Sequence, residues 1–344
     1  MAITIKDVAK AAGVSVSTVS KILNNSGSIS QNTINRVNSV ITELHYTPNS
    51  RAVSFAKGST KSIIFLTALG KEEAYKNPHM FDIMCGAYRE LSKNNYTVTL
   101  MDTSTESYPG ETVNKVISAG SADGIVVHGS ALNDKTADFI LSKNFPHVVI
   151  GNPGFDNQLC WIDTNHTLGG QFAAEHLISC GYNSIAFIGG RKTDTISAQR
   201  LKGVRSTLLK NGHRMPKEYI VYTDSSRESA YTAALDLLAL ENRPQAIICE
   251  NNMIALGVVK AIEHSDLQVP EEIAFLTFDR YPYTSIIDPF PTIIDIDVYD
   301  MGQQAGITIA RKLENPSLLV QSFTTLPISV SYTHLRAHET GAYL

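Results

Sequence analysis

Ile3-Thr4-Ile5-Lys6-Asp7-Val8-Ala9-Lys10-Ala11-Ala12-Gly13-Val14-Ser15-Val16-Ser17-Thr18-Val19-Ser20-Lys21-Ile22-Leu23-Asn24 reads as two short helices around a tight turn. Thr4 supplies an N-cap, and Ile5, Val8, Ala9 and Ala12 recur at the spacing that puts them on one helical face. Gly13 stops that helix, Val14 makes the turn, and Ser15 caps a second helix, Val16 to Leu23, with Val19, Ile22 and Leu23 inward. A third helix, capped by Ser30, is predicted over about Gln31 to Leu44, burying Ile34, Val37, Val40, Ile41 and Leu44. A helix, a turn containing glycine and a second capped helix form the arrangement that lays a recognition helix in a DNA major groove. The outward face of the second helix, Val16, Ser17, Thr18, Ser20 and Lys21, is small and rich in hydroxyls. Lysine can reach guanine there, and a methyl-sized group can touch thymine. The same spacing also fits a plain bundle of three capped helices.

Charge separates this head from the rest. Residues 1–60 hold six basic side chains against Asp7 and Glu43, a net +4, which leaves −8 for the remainder of a chain whose total is −4. A basic head on an acidic body is the electrostatic pattern of a nucleic-acid-binding module joined to something else. The 344 residues suit two or three domains, and 43% hydrophobic with 18% charged residues is ordinary for a globular protein. No apolar run reaches the ~20 residues of a membrane span, and the N-terminus lacks the apolar stretch of a signal peptide, so a cytoplasmic location is expected. Cys85, Cys160, Cys180 and Cys249 are scattered without a C-x-x-C pair and read as reduced core thiols.

The quoted stretch, continued through Ser30, Thr33, Val37, Leu44, Tyr46, Pro48 and Asn49, resembles the start of the lactose-repressor/galactose-repressor family. The resemblance is dense and almost free of gaps. It implies that Val16, Ser17 and Lys21 face base edges and that Thr4, Ser15, Thr18, Ser20, Asn24, Ser30, Thr33 and Asn49 grip phosphates. Hydroxyls and helix N-termini suit that positioning role. The family's hinge-helix pattern, Asn-x-x-Ala-x-x-Leu, here reads Asn49-Ser50-Arg51-Ala52-Val53-Ser54-Phe55. Ala52 keeps its place, and Phe55 stands where the family inserts leucine into the minor groove. Phenylalanine is itself a known wedge, and the alternative for Phe55 is packing on the following domain. So short a hinge is below the ~12–15 residues an isolated helix needs in water, so it is expected to fold only when paired on DNA.

From Ser62 the pattern alternates strand and helix. Apolar runs at Ile63–Leu69, Val98–Met101, Gly124–Val127, His147–Ile150, Ile185–Ile188, Tyr219–Tyr222, Ala246–Cys249 and Ile273–Phe278 are separated by helical stretches, the first near 79–94, 110–119 and 134–144. This predicts parallel sheets covered by helices, arranged as a two-lobed α/β sensor, with ligand outside the C-terminal ends of the strands. Phosphate-loop, dinucleotide, H-E-x-x-H and G-x-S-x-G signatures are absent, and the ten histidines form no ligand cluster. No catalytic residue, metal or cofactor is therefore assigned.

The resemblance extends over the body to about Val330 and implies a fold like periplasmic binding proteins. Asn77-Pro78-His79-Met80-Phe81 matches the family's segment at the pocket rim, with His79 and Met80 replacing two phenylalanines. Asp163 is expected to open the second lobe. Arg200 stands three before Gly203, where the family's ligand-binding arginine sits; Asn251-Asn252 and Phe278-Asp279 match two further ligand positions. Arg200, Asn251 and Asp279, each expected at a strand end, would converge in the cleft and suit a polyhydroxyl ligand. A buried structural ion pair is the alternative for Arg200 and Asp279. Ile296 stands where relatives often carry a polar residue that can line the pocket.

The expected organisation is a helix-turn-helix domain at 1–47, hinge and linker at 48–60, a two-lobed effector and dimerisation domain at 61–330, and a tail at 331–344 that reads as adapter sequence foreign to the fold. The function expected is a homodimeric or tetrameric regulator, with no membrane partner, binding a pseudo-palindromic double-stranded operator under control of a small molecule, a saccharide by preference. A solute-binding protein of the same sensor fold is the rival reading. Lys21→Ala is expected to cost about 1–3 kcal/mol on the operator and to relax base preference at one position per half-site. Binding to single-base operator variants checks it, because equal loss on all of them would place Lys21 on phosphate.

Overall fold

The computed structural model describes residues 3–24, 26–46, 59–70, 79–154, 158–280, 284, 287–318 and 322–330. Asn49, Ala52, Phe55 and the tail 331–344 lie outside them. The chain divides into one unit of Met1–Lys61 with Gly120–Asp123 and a second of Ser62–Ala119 with Gly124–Leu344.

In the first unit, α1 (Ile5–Ala12), α2 (Val16–Leu23) and α3 (Gln31–Glu43) follow the expected boundaries. Gly13 ends α1 with φ +63°, a left-handed conformation that glycine adopts without steric cost, and the N–H of Val14 donates back to the Ala9 carbonyl at 3.0 Å. Val8, Ala9, Ala12, Val19, Ile22 and Val37 form the core. Ile34, Val40, Ile41 and Leu44, expected inside, are only partly buried against it, as is Leu23. Three helices of 8, 8 and 13 residues have too little volume to cover every apolar side chain. At the end of this unit the Asp123 carboxylate accepts from the N–H groups of Thr60 at 2.6 Å and Lys61 at 3.0 Å, and from the Thr60 hydroxyl at 2.8 Å.

The second unit contains two parallel-sheet lobes. The first lobe's sheet has the order β11-β5-β4-β3-β1-β2, from β1 (Ser62–Thr67), β2 (Thr97–Asp102), β3 (Gly124–His128), β4 (His147–Ile150), β5 (Trp161–Thr164) and β11 (Phe323–Thr325). It carries α4 (His79–Lys93), α5 (Glu111–Ala119), α6 (Asp134–Ser142) and the returning α11 (Val298–Glu314). The second lobe's sheet has the order β12-β10-β9-β8-β6-β7, from β6 (Ile185–Gly189), β7 (Ile220–Tyr222), β8 (Ala246–Cys249), β9 (Ala274–Phe278), β10 (Thr292–Asp295) and β12 (Ile328–Val330). Only β12 runs antiparallel to its neighbour. Its faces are covered by α7 (His166–Ser179) and α8 (Thr195–Lys210) on one side and α9 (Arg227–Leu238) and α10 (Asn252–His264) on the other.

Strand alternation explains the two cores of the second lobe. In β8, Ala246 and Ile248 face α7 and α8, while Ile247 and Cys249 face α9 and α10. A strand buried on both faces reads as a continuous apolar run. β5, β10, β11 and β12 were not anticipated because Asp163, Thr292, Asp295 and the threonines of β11 interrupt such runs. Asp163 lies on β5 in the first lobe's sheet rather than opening the second lobe, which begins with α7. Among the thiols, Cys160 and Cys249 are buried, whereas Cys85 and Cys180 are half-buried.

α7 and α8 cross backbone to backbone. A Cβ added at Gly170 would lie 2.0 Å from the Arg200 carbonyl oxygen, and one added at Gly203 would lie 2.0 Å from that of Thr167. Neither can be accommodated without separating the helices. Gly170→Ala and Gly203→Ala are each expected to destabilise the second lobe by about 2–4 kcal/mol in urea unfolding followed by circular dichroism. Unchanged midpoints would mean that the helices do not touch there.

Candidate nucleic-acid interface and ligand cleft

The head places its polar side chains at helix starts. Ser15 Oγ accepts the Thr18 N–H at 3.1 Å and lies 2.7 Å from Ser17 Oγ and 2.8 Å from Thr18 Oγ1. Ser30 Oγ accepts the Thr33 N–H at 3.4 Å and lies 2.9 Å from Thr33 Oγ1. These caps gather hydroxyls at the N-termini of α2 and α3, where the helix dipole and unpaired N–H groups attract anions. Asn24 donates to the Ser20 carbonyl at 2.9 Å at the other end of α2. Val16, Ser17 and Lys21 are exposed, and Thr18 and Ser20 are half-buried. Thr4 differs, because its N–H and hydroxyl both donate to Asp7 Oδ2, at 2.9 and 2.8 Å. Those bonds hold the Asp7 carboxyl below its ordinary value and commit the Thr4 hydroxyl proton to a carboxylate.

In the second unit, Asp279 is the centre of the cleft. It follows β9 with φ +69°, and its N–H donates to the Ile294 carbonyl on β10 at 2.9 Å. Its carboxylate is almost fully buried: Oδ2 lies 3.0 Å from His79 Nε2, at the start of α4 in the opposite lobe, and Oδ1 lies 3.6 Å from Arg200 Nη2. Burial alone would push this carboxyl up, but the charges of His79 and Arg200 outweigh it and hold the group below its ordinary value. The Arg200 guanidinium stacks 3.9 Å above the Phe278 ring centroid and donates to the Glu250 carbonyl. Asp279 also faces a cavity of about 230 Å³ shared by the two lobes, lined with His79, Asp82, Arg280, Asp295, Ile296 and Asp297.

Three expectations change. Arg200 sits in the middle of α8, not at a strand end, because the buried face of that helix carries it inward with Leu201 and Val204. Asn251 caps α10, its Oδ1 accepting the Ile254 N–H at 2.9 Å. The buried amide beside Asp279 is Asn252, whose Nδ2 donates to the carbonyls of Phe278 at 3.1 Å and Asp279 at 2.8 Å. Met80 points into the first lobe's core with Ile63, Phe65 and Ile83, and its sulfur accepts the Thr67 hydroxyl at 3.2 Å. His79 is thus the residue of that pair that reaches the cleft.

Sequence reasoning did not single out Glu250 or His166. The Glu250 carboxylate is buried behind Arg200, accepting the Gly190 N–H and the Ser197 hydroxyl, and burial pushes it up against the pull of Arg200. His166 Nε2 lies 3.2 Å from Asp163 Oδ1. Glu250 directly follows the short apolar strand β8, where an acid ordinarily signals a surface turn. Among the described residues, no helix is long and apolar enough to cross a membrane.

Residues 4–49 match the family described as bacterial regulatory proteins, lacI family, and residues 174–330 match the periplasmic binding protein-like domain. The ribose operon repressor of Escherichia coli (strain K12) is 28% identical over 326 residues, 94% of this chain and 97% of that protein. The "Probable HTH-type transcriptional repressor ExuR" of Bacillus subtilis (strain 168) is 32% identical over 290 residues, 83% of this chain and 84% of its own length. Among solved structures, the lac repressor dimer bound to operator and the anti-inducer ONPF superposes with a TM-score of 0.82 at 23% identity, covering 98% of this chain and 100% of that one. The CelR–cellobiose complex gives 0.71 at 22% identity, covering 96% and 98%.

His128, at the end of β3, makes the fold sensitive to acid. Its Nδ1 lies 2.8 Å from Ser130 Oγ and accepts the Ser130 N–H, which only the neutral ring can do. Burial, with the nearby charge of His79, pushes it down to about 4 from 6.5. Between those values the unfolded chain takes up a proton that the folded chain refuses, so stability is full above pH 6.5 and falls towards pH 4. His128→Asn, which keeps an accepting oxygen for the cap, is expected to recover roughly 2–3 kcal/mol of that loss in melts from pH 7 to 4.5. An unaltered pH profile would show that His128 takes up its proton equally in both states.

Proposed function

This chain belongs to the lacI family of bacterial regulatory proteins, which are regulators of transcription and not enzymes, and we propose that it acts in the cytoplasm as a homodimer or tetramer whose grip on a pseudo-palindromic operator is set by a saccharide in the cleft. In this reading Val16, Ser17 and Lys21 meet base edges, and the capped hydroxyls of Ser15, Thr18, Ser30 and Thr33, with Ser20 and Asn24, meet phosphates. A hydroxyl that accepts from a helix N–H still has a proton to give, so capping and phosphate contact are compatible. Thr4 joins them only by giving up its bond to Asp7. Asn49 extends the phosphate contacts and Ala52 and Phe55 enter the minor groove, on the resemblance of the hinge.

The effector reading rests on one observation. An ionised, buried Asp279 carboxylate faces a cavity whose wall also carries Asp82, Asp295 and Asp297, beside His79 and Arg280. Carboxylates accept and Arg280 donates, so the ligand that fits both gives and takes hydrogen bonds, as sugar hydroxyls do. One relative is named for a ribose operon and one solved structure of this fold holds cellobiose, which is consistent with that class.

A thermal-shift panel of monosaccharides and disaccharides, ribose and cellobiose among them, identifies the effector, since a ligand at 100 times its Kd adds about 2.7 kcal/mol. Asp279→Asn keeps the shape but removes the charge, and it is expected to weaken that sugar by one to two orders of magnitude, about 1.4–2.7 kcal/mol. Operator binding should remain in a gel shift. Unchanged sugar affinity removes Asp279 from the site, and loss of both activities with a lowered melting temperature makes it structural.

A further inference from the structure

We propose that the second lobe carries a separate site for a phosphorylated small molecule, in the groove between α8 and the edge strand β7. The observation begins in the sequence. Residues 195–217 contain Arg200, Lys202, Arg205, Lys210, Arg214 and Lys217 and no Asp or Glu, within a body whose net charge is −8. Arg200 turns into the lobe, but Lys202 and Arg205, three residues apart, share the exposed face of α8 with Leu209 one turn on. The chain then turns back at Gly212, φ +80°, which brings His213, Arg214 and Met215 to the same groove. Tyr222 of β7 stands on the other side.

The resulting cavity is about 690 Å³, against about 230 Å³ for the cleft, and lies within the range of small-molecule pockets. Its lining holds Lys202, Arg205, His213 and Arg214 and no carboxylate. Some exposed cations elsewhere on the lobes are neutralised locally: Lys115 lies 2.5 Å from Glu111, Lys260 2.8 Å from Glu263 and Arg227 2.8 Å from Glu228. Lys202, Arg205 and Arg214 have no ion pair or hydrogen bond among the described residues. Converging like charges repel one another and raise the local concentration of anions. Two guanidinium forks and an ammonium suit phosphate oxygens, while Leu209, 64% exposed, with Met215 and Tyr222 offers an apolar wall to the organic part. β7 is only three residues long, so the groove fits a compact ligand better than an extended acidic peptide.

Calorimetry on the full chain with pyrophosphate, AMP and adenosine tests the site. Pyrophosphate and AMP are expected to bind, more weakly as salt is raised, and adenosine to bind at least tenfold more weakly than AMP. Lys202→Gln/Arg205→Gln and the charge-reversing Lys202→Glu/Arg205→Glu should each lose at least tenfold in affinity with unchanged circular dichroism. Operator binding, which uses the head, should be unaffected. Failure of both anions to bind at millimolar concentration overturns the proposal, and so does binding that the Gln variant retains in full, which would assign the anions to another basic surface. Capture of a polyglutamate peptide by the same residues without binding of AMP or pyrophosphate would overturn it in favour of an acidic polypeptide.

Discussion

The buried charge of Asp279 is the interaction on which the arrangement of the sensor depends. An isolated carboxylate in that position would take a proton rather than remain charged. Arg200 and His79 prevent this, and they come from different places: Arg200 from α8 of the same lobe, His79 from α4 of the other. Removing one partner from such a buried pair typically costs about 3–5 kcal/mol, while the intact pair contributes little net stability. Its consequence is therefore geometric, since the His79 contact is made only where the two lobes approach each other at Asp279. Phe278 beneath the guanidinium and Asn252 on the flanking carbonyls hold the acid where both partners can reach it.

The head solves a different problem. Two helices of eight residues are too short to persist alone, and the core they share is small. Caps supply what packing cannot, with Ser15 and Ser30 each satisfying an N–H that would otherwise be unpaired. The same hydroxyls then stand where a phosphate would meet a helix N-terminus. In the proposed reading, stability and DNA contact draw on the same atoms, so a substitution at Ser15 or Ser30 would affect both.

The head was legible almost to the residue because its signals are local: a cap, a glycine stop and a helical period. The second lobe's central strands were legible for a related reason, since β6, β8 and β9 are buried on both faces and read as unbroken apolar runs. The site was harder. Arg200 matched a motif, but its helix, Thr195–Lys210, has almost no one-sided apolar face because one side packs on the sheet and part of another on α7. Adjacent asparagines could not be told apart, since one caps a helix and the other ties down a loop. At His79-Met80 successive side chains on a helix point about 100° apart, so one reaches the cleft and the other the core. Glu250 was invisible because its partners, Gly190 and Ser197, lie more than fifty residues away.

Helix contacts through glycine say where such a sensor can move. In the second lobe Gly170 and Gly203 lock α7 to α8; in the first, Gly86 and Gly302 do the same for α4 and α11, where an added Cβ would lie 2.2 Å from the Tyr299 carbonyl oxygen and 2.1 Å from that of Ile83. Helices in backbone contact cannot slide without losing it, so each lobe behaves as one body. The chain passes between the lobes three times, from β5 to α7, from β10 to α11 and from β11 to β12, each time through one or two residues. Relative motion is confined to those crossings, as in hinge closure. The second crossing is Ile296-Asp297, with Asp297 at φ +37°, and both residues line the cavity that Asp279 faces. A ligand there touches both lobes and the crossing between them, so its contacts differ between an open and a closed arrangement, which is the condition for a ligand to shift one towards the other.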